Sequence, residues 1–359
     1  MKSGDKTYPV VIVGAGQAGL ATSYFLKKRK IDFIILEENK NVGDNWRKRW
    51  DSLHLFTPSQ YDGLPGMEFP LQKDGFPGKD QVADFLKAYI KKFDIPVQVE
   101  TKVNKLTKVA GGNFLLETSS GNFIAERVVI ATGTHPIPEV PDFSSQLSSE
   151  IVQIHSSAYK NPEMLNRGSV LVVGAGTSGI EIAIELSGTH ETYISGKPTF
   201  HIPDNIFKYA GKLYWWFALH ILTINTPVGR KAKDKILHGG GPLIKISAED
   251  LDKAGVKRLP RMKGVKDGFP EFEDGTVLKV STVIWATGYR PDFSWIQIEG
   301  FDKTGWPAAN RGIAINQNGL YFMGMPFQFG LVSGLIGGVG RDAEFIVKNL
   351  VQSLQKKSV

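Results

Sequence analysis

A glycine-rich segment occurs twice in this chain, and its repetition constrains the fold more than any other feature. The run from Val10 to Gly19 reads VVIVGAGQAG, and the run from Val170 to Gly179 reads VLVVGAGTSG. Each is an apolar stretch short enough for a buried parallel strand, followed by GxGxxG and an amphipathic helical pattern. One such loop would be weak evidence, but two in the same context predict an α/β fold with two Rossmann-like dinucleotide-binding domains.

The residue types in the two loops indicate how each would hold a dinucleotide. The first glycine permits a tight turn, the second lets backbone approach a pyrophosphate, and the third lets helix and strand pack closely. The N terminus of the following helix offers unpaired N–H groups to the phosphates. The candidate binding residues are Gly14, Gly16, Gln17, Ala18 and Gly19 in the first loop, and Gly174, Gly176, Thr177, Ser178 and Gly179 in the second.

The residues after the second strand of each unit distinguish the two nucleotides. Glu37 follows an apolar strand, 18 residues past Gly19, where a carboxylate can accept the hydroxyls of a ribose. Such an acid would repel a 2′-phosphate, so the first site should take FAD or NAD. The second unit has Ser195 and Lys197 at this place, which favours NADPH while leaving NADH possible. A surface acid and an exposed loop lysine are the alternative interpretations.

A second repeated pattern shows how the two units are nested. Strands ending in Ala131-Thr132-Gly133 and Ala286-Thr287-Gly288 lie 155 positions apart, and a further strand and helix follow the second. We therefore predict an FAD-binding domain over 1–154 and 284–359, with an NADP-binding domain over 155–283 inserted into it. The segment 43–58 contains turn formers and tryptophans without periodicity, so it suits either a loop over a bound ring system or a loop over the core.

Composition excludes several function classes. The 359 residues include no cysteine, which removes disulfides, thiolate metal sites and an internal dithiol relay. A net charge of +7 suits anionic cofactors, and no basic–aromatic array argues for nucleic acid. The cluster at 231–235 is interpreted as a solvated helix end. No run reaches the length of a membrane span and no signal stretch precedes the first strand, so a cytoplasmic protein is expected.

An aromatic-rich insertion at about 200–241 is the variable part of the chain. Tyr209, Leu213 and the run from Tyr214 to Phe217 could line a substrate mouth, or pack as ordinary core, which the clustering of aromatics favours. A membrane-surface segment is a third interpretation and an unfavoured one, because its polar face is weak. Membrane association is therefore not expected, and neither is a metal site.

Together these residues resemble flavin-containing monooxygenases of the short bacterial class B type. The resemblance covers nearly the whole chain and rests on both glycine loops, the stretches 43–46 and 50–58, both Ala-Thr-Gly ends and His155 to Tyr159. The family's hallmark F-x-G-x3-H-x3-[FY] is matched at His155 and Tyr159, whereas Ser149 and Ile151 replace the expected Phe and Gly. The family's flavin-side asparagine would fall near Phe56 and Thr57 and is absent.

The resemblance implies FAD and NADPH as cofactors, with O2 and a small molecule as substrates and a homodimer as a possible assembly. NADPH would reduce FAD, and a C4a-(hydro)peroxyflavin would pass oxygen to a sulfide, an amine or a ketone. His155 would orient the cofactor or act as a hinge, though it could also be a packed histidine. Candidates near the flavin are Phe56, Thr57, His155 and Gln328; further FAD-binding candidates are Trp46, His54 and Val103.

Two other functions remain open at this stage. A flavin reductase or NAD(P)H oxidase would share both cofactors and release peroxide or reduce a partner. A non-catalytic flavoprotein sensor would use nucleotide occupancy as a signal. Reoxidation of the reduced flavin with and without substrate separates these functions.

Overall fold

The computed structural model describes residues 6–134, 136–239, 241–302 and 305–355. The strands are β1 (Lys6–Val13), β2 (Phe33–Leu36), β3 (Val97–Gln98), β4 (Val103–Lys108), β5 (Phe114–Thr118), β6 (Gly121–Ile130), β7 (Ile137–Pro138), β8 (Val152–His155), β9 (Val170–Val173), β10 (Thr192–Ser195), β11 (Lys257–Leu259), β12 (Met262–Lys266), β13 (Phe269–Phe272), β14 (Thr282–Trp285), β15 (Tyr289–Arg290), β16 (Ala309–Asn310), β17 (Ile313–Ala314) and β18 (Leu320–Phe322). The helices are α1 (Gln17–Lys28), α2 (Asp44–Arg47), α3 (Lys79–Phe93), α4 (Thr177–Ser187), α5 (Asp204–His220), α6 (Pro227–Gly239), α7 (Ala248–Lys253) and α8 (Val339–Gln355).

The first sheet is built from both ends of the chain. Its strands run in the order β16-β17-β18-β6-β1-β2-β3, with β4 and β5 attached to β6 as an antiparallel meander. The central strands are parallel, and Val11 of β1 lies between Ile34 of β2 and Val128 of β6. β18 pairs in parallel with β6, which places the C-terminal part of the chain in the N-terminal sheet.

Both faces of this sheet are covered, as a parallel sheet requires. Side chains of β1 alternate between two cores, with Val10 and Ile12 on one face and Val11 and Val13 on the other. Residues of α1, α3 and α8 complete the first core, and the β4–β5 meander completes the second. This two-sided burial explains why β1 is a continuous apolar run in the sequence.

The second sheet lies wholly within the middle of the chain. Its order is β11-β10-β9-β14-β8, and all of these pairings are parallel. Val172 of β9 lies between Ile194 and Ile284, with α4 packed on one face. Two parallel α/β sheets, one inserted into the other, are the predicted fold class.

The chain crosses between the two sheets twice, and the crossings are paired. β7 on the outward crossing pairs antiparallel with β15 on the return, with Tyr289 opposite Pro138. The predicted domain bounds at 154/155 and 283/284 fall inside β8 and β14, whereas both strands belong entirely to the second sheet. The crossings themselves therefore lie a few residues outside the predicted bounds.

Helix α3 begins at Lys79, and Gly78 is its N-cap. The side chain of Gln81 accepts a hydrogen bond from the Gly78 N–H at 2.9 Å, which is the reciprocal half of a capping box. Gln81 therefore satisfies the backbone donor of the N-cap residue.

The aromatic-rich insertion folds as α5 and α6 between β10 and β11. One face of α5 packs inward, with Trp215 and Ala218 buried against Ile244 and Val332. Tyr209, Leu213, Trp216 and Phe217 are exposed, so the prediction that the cluster packs as core is correct for one face only. Within the described ranges, no helix is both long and apolar enough to cross a bilayer.

Candidate functional site

The first glycine loop has the geometry of a pyrophosphate cradle. Gly14 has a φ of +102°, and a Cβ there would lie 2.6 Å from the carbonyl oxygen of Ala131. A Cβ on Gly19 would lie 2.0 Å from the carbonyl oxygen of Gly14, because α1 packs directly against the end of β1. A Cβ on Gly16, by contrast, would have no protein atom within 4 Å. The central glycine therefore faces open space, where a ligand can approach the backbone.

The second glycine loop repeats this geometry position by position. Gly174 has a φ of +109° and a Cβ there would meet the carbonyl oxygen of Ala286 at 2.3 Å. A Cβ on Gly179 would lie 1.9 Å from the carbonyl oxygen of Gly174, and Gly176 again faces open space. Each Ala-Thr-Gly pattern is thus explained in part by contact, since its alanine lies against the first glycine of the neighbouring loop.

The helices that follow the two loops leave their first N–H groups available. Their N-caps are Gly16 and Gly176, neither of which has a capping side chain, and neither helix has an acidic residue in its first turn. The N termini of α1 and α4 therefore keep both unpaired donors and a positive dipole end, as an anion site requires. On these observations, the residues present fit two dinucleotide pyrophosphates.

Glu37 is more tightly held than its position in the sequence suggests. Its carboxylate is buried; Oε2 accepts from the Ala15 N–H at 2.8 Å, and Oε1 accepts from the side-chain amide of Asn39 at 2.6 Å and its backbone N–H at 3.0 Å. Three of roughly four acceptor positions are therefore in use. Glu37 fixes the glycine loop and retains one position for a ribose hydroxyl. Asn39 is a contributor that sequence reasoning missed.

The other predicted FAD-binding residues are dispersed. Ala131 is buried at the end of β6, and Gly133 is exposed with a φ of +76° and open space at its Cβ position. Trp46 packs between the cores of the two sheets. Two residues lie elsewhere: His54 is exposed beside the start of α3, and Val103 packs in the meander core. Thr132 is exposed between Ala131 and Gly133.

Thr57 donates a hydrogen bond to a buried carboxyl group that the sequence did not single out. Its Oγ1 lies 2.5 Å from Oδ1 of Asp62, whose side chain is 1% exposed. The second oxygen, Oδ2, is buried without a hydrogen-bond partner among the described residues. Burial raises the pKa of Asp62 to about 7, against the lowering effect of the Thr57 hydrogen bond. Asp62 therefore carries a proton in a large fraction of molecules at neutral pH.

A cavity of about 810 Å³ lies beside this pair. One wall is the stretch from Thr57 to Glu68, the second is Trp215 and Leu219 of α5, and the third is the segment from Val332 to Gly338 that leads into α8. Tyr61 and Trp215 lie in ring contact at 5.2 Å across it. No sequence pattern indicates this cavity, because its walls are separated by more than a hundred residues in each direction.

Two predicted flavin-side residues lie in different surroundings. Phe56 is half-buried against the core beneath α5. Gln328 is buried, and its amide nitrogen donates to the carbonyl oxygen of Arg311 at 3.3 Å while its oxygen accepts from the Met325 N–H at 3.3 Å. Gln328 thus closes the loop between β18 and α8, and it is not among the cavity walls.

The predicted 2′-phosphate site requires a correction. The Ser195 hydroxyl is buried, donates to the carbonyl oxygen of Pro260 at 2.8 Å and accepts from the Met262 N–H at 2.9 Å. It therefore has no proton left for a phosphate. Lys197 is exposed just beyond β10, and Arg261 is exposed just beyond the neighbouring β11. Arg261 is a second cation at these strand ends, and it lies too far along the sequence to have been associated with Lys197.

The two chain crossings between the sheets meet near Ala286, Thr287 and Gly288, and we call this region the joint. The hydroxyl of Thr287 donates to the carbonyl oxygen of Glu139, which ties the return crossing to the outward one. Arg49 donates to the Tyr289 hydroxyl at 2.9 Å and lies over its ring. Ala286, Thr287 and Gly288, which belong to the predicted NADP site, therefore lie close to the loop of the first unit that contains Arg49.

His155 lies at the centre of this joint. Its Nε2 is 3.0 Å from the Gly288 carbonyl oxygen, and its Nδ1 is 3.1 Å from the Ser157 N–H, an arrangement that assigns the proton to Nε2. Its ring makes an edge contact with Tyr289 at 4.9 Å. Burial lowers the pKa of His155, and the Gly288 carbonyl opposes this only in part. In this arrangement both ring nitrogens of His155 are engaged by other groups of the chain.

Residues 11–197 match the family described as pyridine nucleotide-disulphide oxidoreductase. An uncharacterized oxidoreductase named CzcO-like from Geobacillus kaustophilus is 40% identical over 95% of this chain and 98% of its own. A probable indole-3-pyruvate monooxygenase of Arabidopsis thaliana, YUCCA9, is 31% identical over 88% of this chain and 83% of its own. The chain belongs to the flavin-containing monooxygenase branch of this oxidoreductase family.

The family assignment agrees with the fold. The flavin-containing monooxygenase from Stenotrophomonas maltophilia superposes with a TM-score of 0.80 at 24% identity, covering 97% of this chain and 99% of its own. The family match and the monooxygenase relative make the chain a flavoprotein oxidoreductase of the monooxygenase class, and flavin and pyridine nucleotide are the cofactors of such enzymes. Its two glycine cradles match two dinucleotides in number and chemistry.

Proposed function

We propose that this flavin-containing monooxygenase holds FAD in the first cradle and NADPH in the second, and oxygenates small sulfides, amines or ketones with O2. The observation that carries the proposal is the duplicated cradle, in which Gly16 and Gly176 both face open space at a bare helix N terminus. When bound, the two cofactors supply the hydride transfer and the oxygen activation. The residues of the chain bind, orient and shield them.

The assignment of FAD to the first cradle rests on charge. Glu37 lies at the end of β2 with one acceptor position free, which suits a ribose hydroxyl and disfavours a 2′-phosphate. The bare N terminus of α1 would take the pyrophosphate. FAD is the dinucleotide of this class that lacks a 2′-phosphate and remains bound between turnovers.

The assignment of NADPH to the second cradle rests on Lys197 and Arg261. Both are exposed at adjacent strand ends, where no acidic residue follows the strand as Glu37 follows β2. Arginine presents a planar fork suited to phosphate, and lysine adds a point charge. NADH lacks the group that these cations would bind, so they favour NADPH.

The joint and the cavity provide the remaining requirements of an oxygenase. The neutral His155 and the Arg49–Tyr289 contact hold the second unit against the first, which fixes one cofactor site relative to the other. Tyr61 and Trp215 give the cavity an apolar wall against which an apolar substrate can pack. The segment that leads into α8, up to Gly338, borders the cavity, and the first turn of α8 contains the buried Asp342.

Asp62, which is hydrogen-bonded to the cavity-lining Thr57, is a group that can hold a proton. Its Oδ1 is fixed by the Thr57 hydroxyl, and its Oδ2 has no partner among the described residues. A pKa of about 7 allows this carboxyl to donate or accept near neutral pH. We assign to Oδ2 of Asp62 the role of a buried atom that takes up or releases a proton behind Thr57, which is the residue of this pair that lines the cavity.

The decisive experiment is anaerobic reduction of the purified holoprotein with NADPH, followed by mixing with labelled 18O2 in the presence of a thioether, a tertiary amine or a cyclic ketone. The plant relative's name gives indole-3-pyruvate as its substrate, so that compound belongs in the panel. We expect NADPH to bleach the flavin and one 18O atom to enter at least one product, with correspondingly less peroxide.

Two results would overturn the proposal. Reduction of the flavin followed by stoichiometric peroxide with every compound in the panel would identify an oxidase or reductase. Failure of both NADPH and NADH to bleach the flavin would identify a non-catalytic flavoprotein.

A further inference from the structure

Helix α5 presents two opposite apolar faces. The inner face buries Trp215 and Ala218, and Trp215 and Leu219 form a wall of the cavity. On the outer face, Tyr209 is 77% exposed, Leu213 is 65% exposed and Trp216 is 51% exposed. If the outer apolar face of such a helix is not packed against protein, it can be buried only by contact with another apolar surface.

The exposed apolar residues of α5 lie on both sides of a kink at Ala210, where φ is −134° and ψ is 21°. Ile206 and Tyr209 precede the kink, and Leu213, Trp216 and Phe217 follow it at the three- and four-residue spacing that aligns side chains along one side of a helix. All five are exposed, and together they are called the stripe. Single exposed apolar residues need no explanation, but a contiguous patch of this kind marks an interaction surface. The stripe therefore calls for a partner with an apolar surface.

The net charge of the surrounding segment indicates what kind of partner the stripe would bind. Residues 200–245 contain seven lysines and arginines against two aspartates, so about an eighth of the chain holds five of its seven net positive charges. Lys212 on α5 and Arg230, Lys231 and Lys235 on α6 are exposed. The Lys235 ammonium lies 4.4 Å from the ring centre of Phe200, which links α6 to the chain entering α5. Lys212 is thus adjacent to the stripe, three residues after Tyr209 and four before Trp216, and the other cations follow on the next helix of the same segment.

A second copy of the chain fits this surface poorly. A twofold dimer presents the same patch on both subunits, so the cations would face cations. A neutral substrate or a neutral lipid would use the stripe but leave the cations without a counterpart. Aromatic side chains combined with lysines are the composition of segments that lie in the interface of an anionic bilayer.

We infer that the α5–α6 segment (residues 200–239) docks on an anionic lipid surface, with the stripe of α5 inserted among the lipids and the cations at the headgroups. The helix would lie in the membrane plane and not cross it, consistent with the absence of a spanning helix in the described ranges. The inference does not rest on the proposed reaction. It adds a route for substrate, because the inner face of the same helix lines the cavity.

The test is sedimentation of the FAD-loaded protein with vesicles of phosphatidylcholine alone or of equimolar phosphatidylcholine and phosphatidylglycerol. We expect binding to the anionic vesicles, weakened by salt, and little binding to the neutral ones. The double variant Leu213→Ser with Trp216→Ser, and the double variant Lys231→Glu with Lys235→Glu, should each weaken binding about tenfold or more.

Matched controls use comparable exposed residues outside the segment. Met164→Ser with Ile315→Ser removes two exposed apolar side chains elsewhere, and Lys87→Glu with Lys266→Glu reverses two exposed charges elsewhere. These should bind as the parent protein does. Melting temperature and flavin content establish that each variant is folded.

Three outcomes would overturn the inference. The first is no binding to anionic vesicles, and the second is binding that the segment variants and the control variants weaken equally. The third is a dimer in solution that Leu213→Ser with Trp216→Ser converts to a monomer without any lipid binding, which would assign the stripe to a second copy. None of these outcomes depends on whether an oxygenation product is found.

Discussion

The Nε2 atom of His155 lies 3.0 Å from the carbonyl oxygen of Gly288, so a residue at the end of β8 holds the turn that follows β14. This hydrogen bond joins the outward and return crossings of the chain at one point. It also uses the only proton that a neutral imidazole carries. His155 is therefore a positioning residue at the joint between the two cofactor-binding units.

We expect His155→Gln to retain most activity, because the glutamine amide can still donate to Gly288. His155→Ala should lower kcat by less than about tenfold and raise the peroxide released per NADPH, whereas loss of a general base costs about a hundredfold or more. The pH profile of kcat should keep its shape in His155→Gln. A lost limb in that profile would show that His155 is a base.

The glycine cradles permit a comparison of substitutions within one motif. Gly16→Ala introduces a Cβ into open space, so the melting temperature of the apoprotein should change little while FAD is lost on purification. Gly19→Ala forces a Cβ to within 2.0 Å of a backbone oxygen and should destabilise the fold by about 1–3 kcal/mol or more. Flavin absorbance per mole of protein and thermal unfolding measure the two effects.

The second cradle provides the matched pair. Gly176→Ala should keep the flavin but lose reduction by NADPH at concentrations that reduce the parent protein, and Gly179→Ala should again destabilise. A Gly16→Ala protein that purifies with full flavin content would refute the assignment of FAD to the first cradle.

These cradles could be predicted from the sequence because their requirements are local. A positive φ at Gly14 and the close approach of α1 at Gly19 involve neighbouring residues, so GxGxxG after an apolar strand contains the information. Glu37 was predictable for the same reason. The hydrogen bonds of its carboxylate could not be predicted, because they come from the Ala15 N–H and the Asn39 amide, which the motif does not specify.

The features that the sequence did not predict depend on distant contacts. The Ser195 hydroxyl donates its only hydrogen to the carbonyl oxygen of Pro260, which is 65 residues away. Arg261 lies near the end of β10 only because β10 pairs with β11. Asp62 belongs to no recognisable motif, and its raised pKa follows from burial, which depends on the folded chain. Helix α5 has apolar residues on two opposite faces, so its periodicity could not indicate which face would be buried.

Because the pKa of Asp62 is raised in the folded state, the free energy of unfolding should decrease as the pH rises. The unfolded group titrates near 3.8 and the folded group near 7, so the folded state binds more protons between these values. Its contribution to stability is therefore complete below about pH 4 and is lost as pH rises to about 7. Asp62→Asn removes this titration, and its stability relative to the parent protein should rise across that window by up to a few kcal/mol.

Urea unfolding of both proteins at several pH values between 4 and 8 measures this difference. Thr57→Val is the matched comparison, because the Thr57 hydrogen bond lowers the pKa of Asp62 and its removal should raise it further. The valine variant should then lose more stability with rising pH than the parent protein does. A difference between Asp62→Asn and the parent that does not change with pH would show that Asp62 is ionised throughout.

The specificity of the second cradle for NADPH should reside in Lys197 and Arg261 and not in Ser195. Removal of one charged partner of a phosphate costs about 1.5–3 kcal/mol, so Lys197→Ala and Arg261→Ala should each raise KM for NADPH by roughly tenfold to a hundredfold and leave KM for NADH unchanged. Arg258→Ala is the control, since that arginine lies in β11 and pairs with Asp252 of α7 at 3.4 Å.

Ser195→Ala separates a structural role from a binding role at the same strand end. It leaves the Pro260 carbonyl and the Met262 N–H without their shared partner, which should lower stability by about 1–3 kcal/mol. Because the hydroxyl has no proton free for a phosphate, the ratio of KM values for NADPH and NADH should stay that of the parent enzyme. A ratio that shifts in Ser195→Ala, but not in Lys197→Ala or Arg261→Ala, would move the 2′-phosphate to the serine.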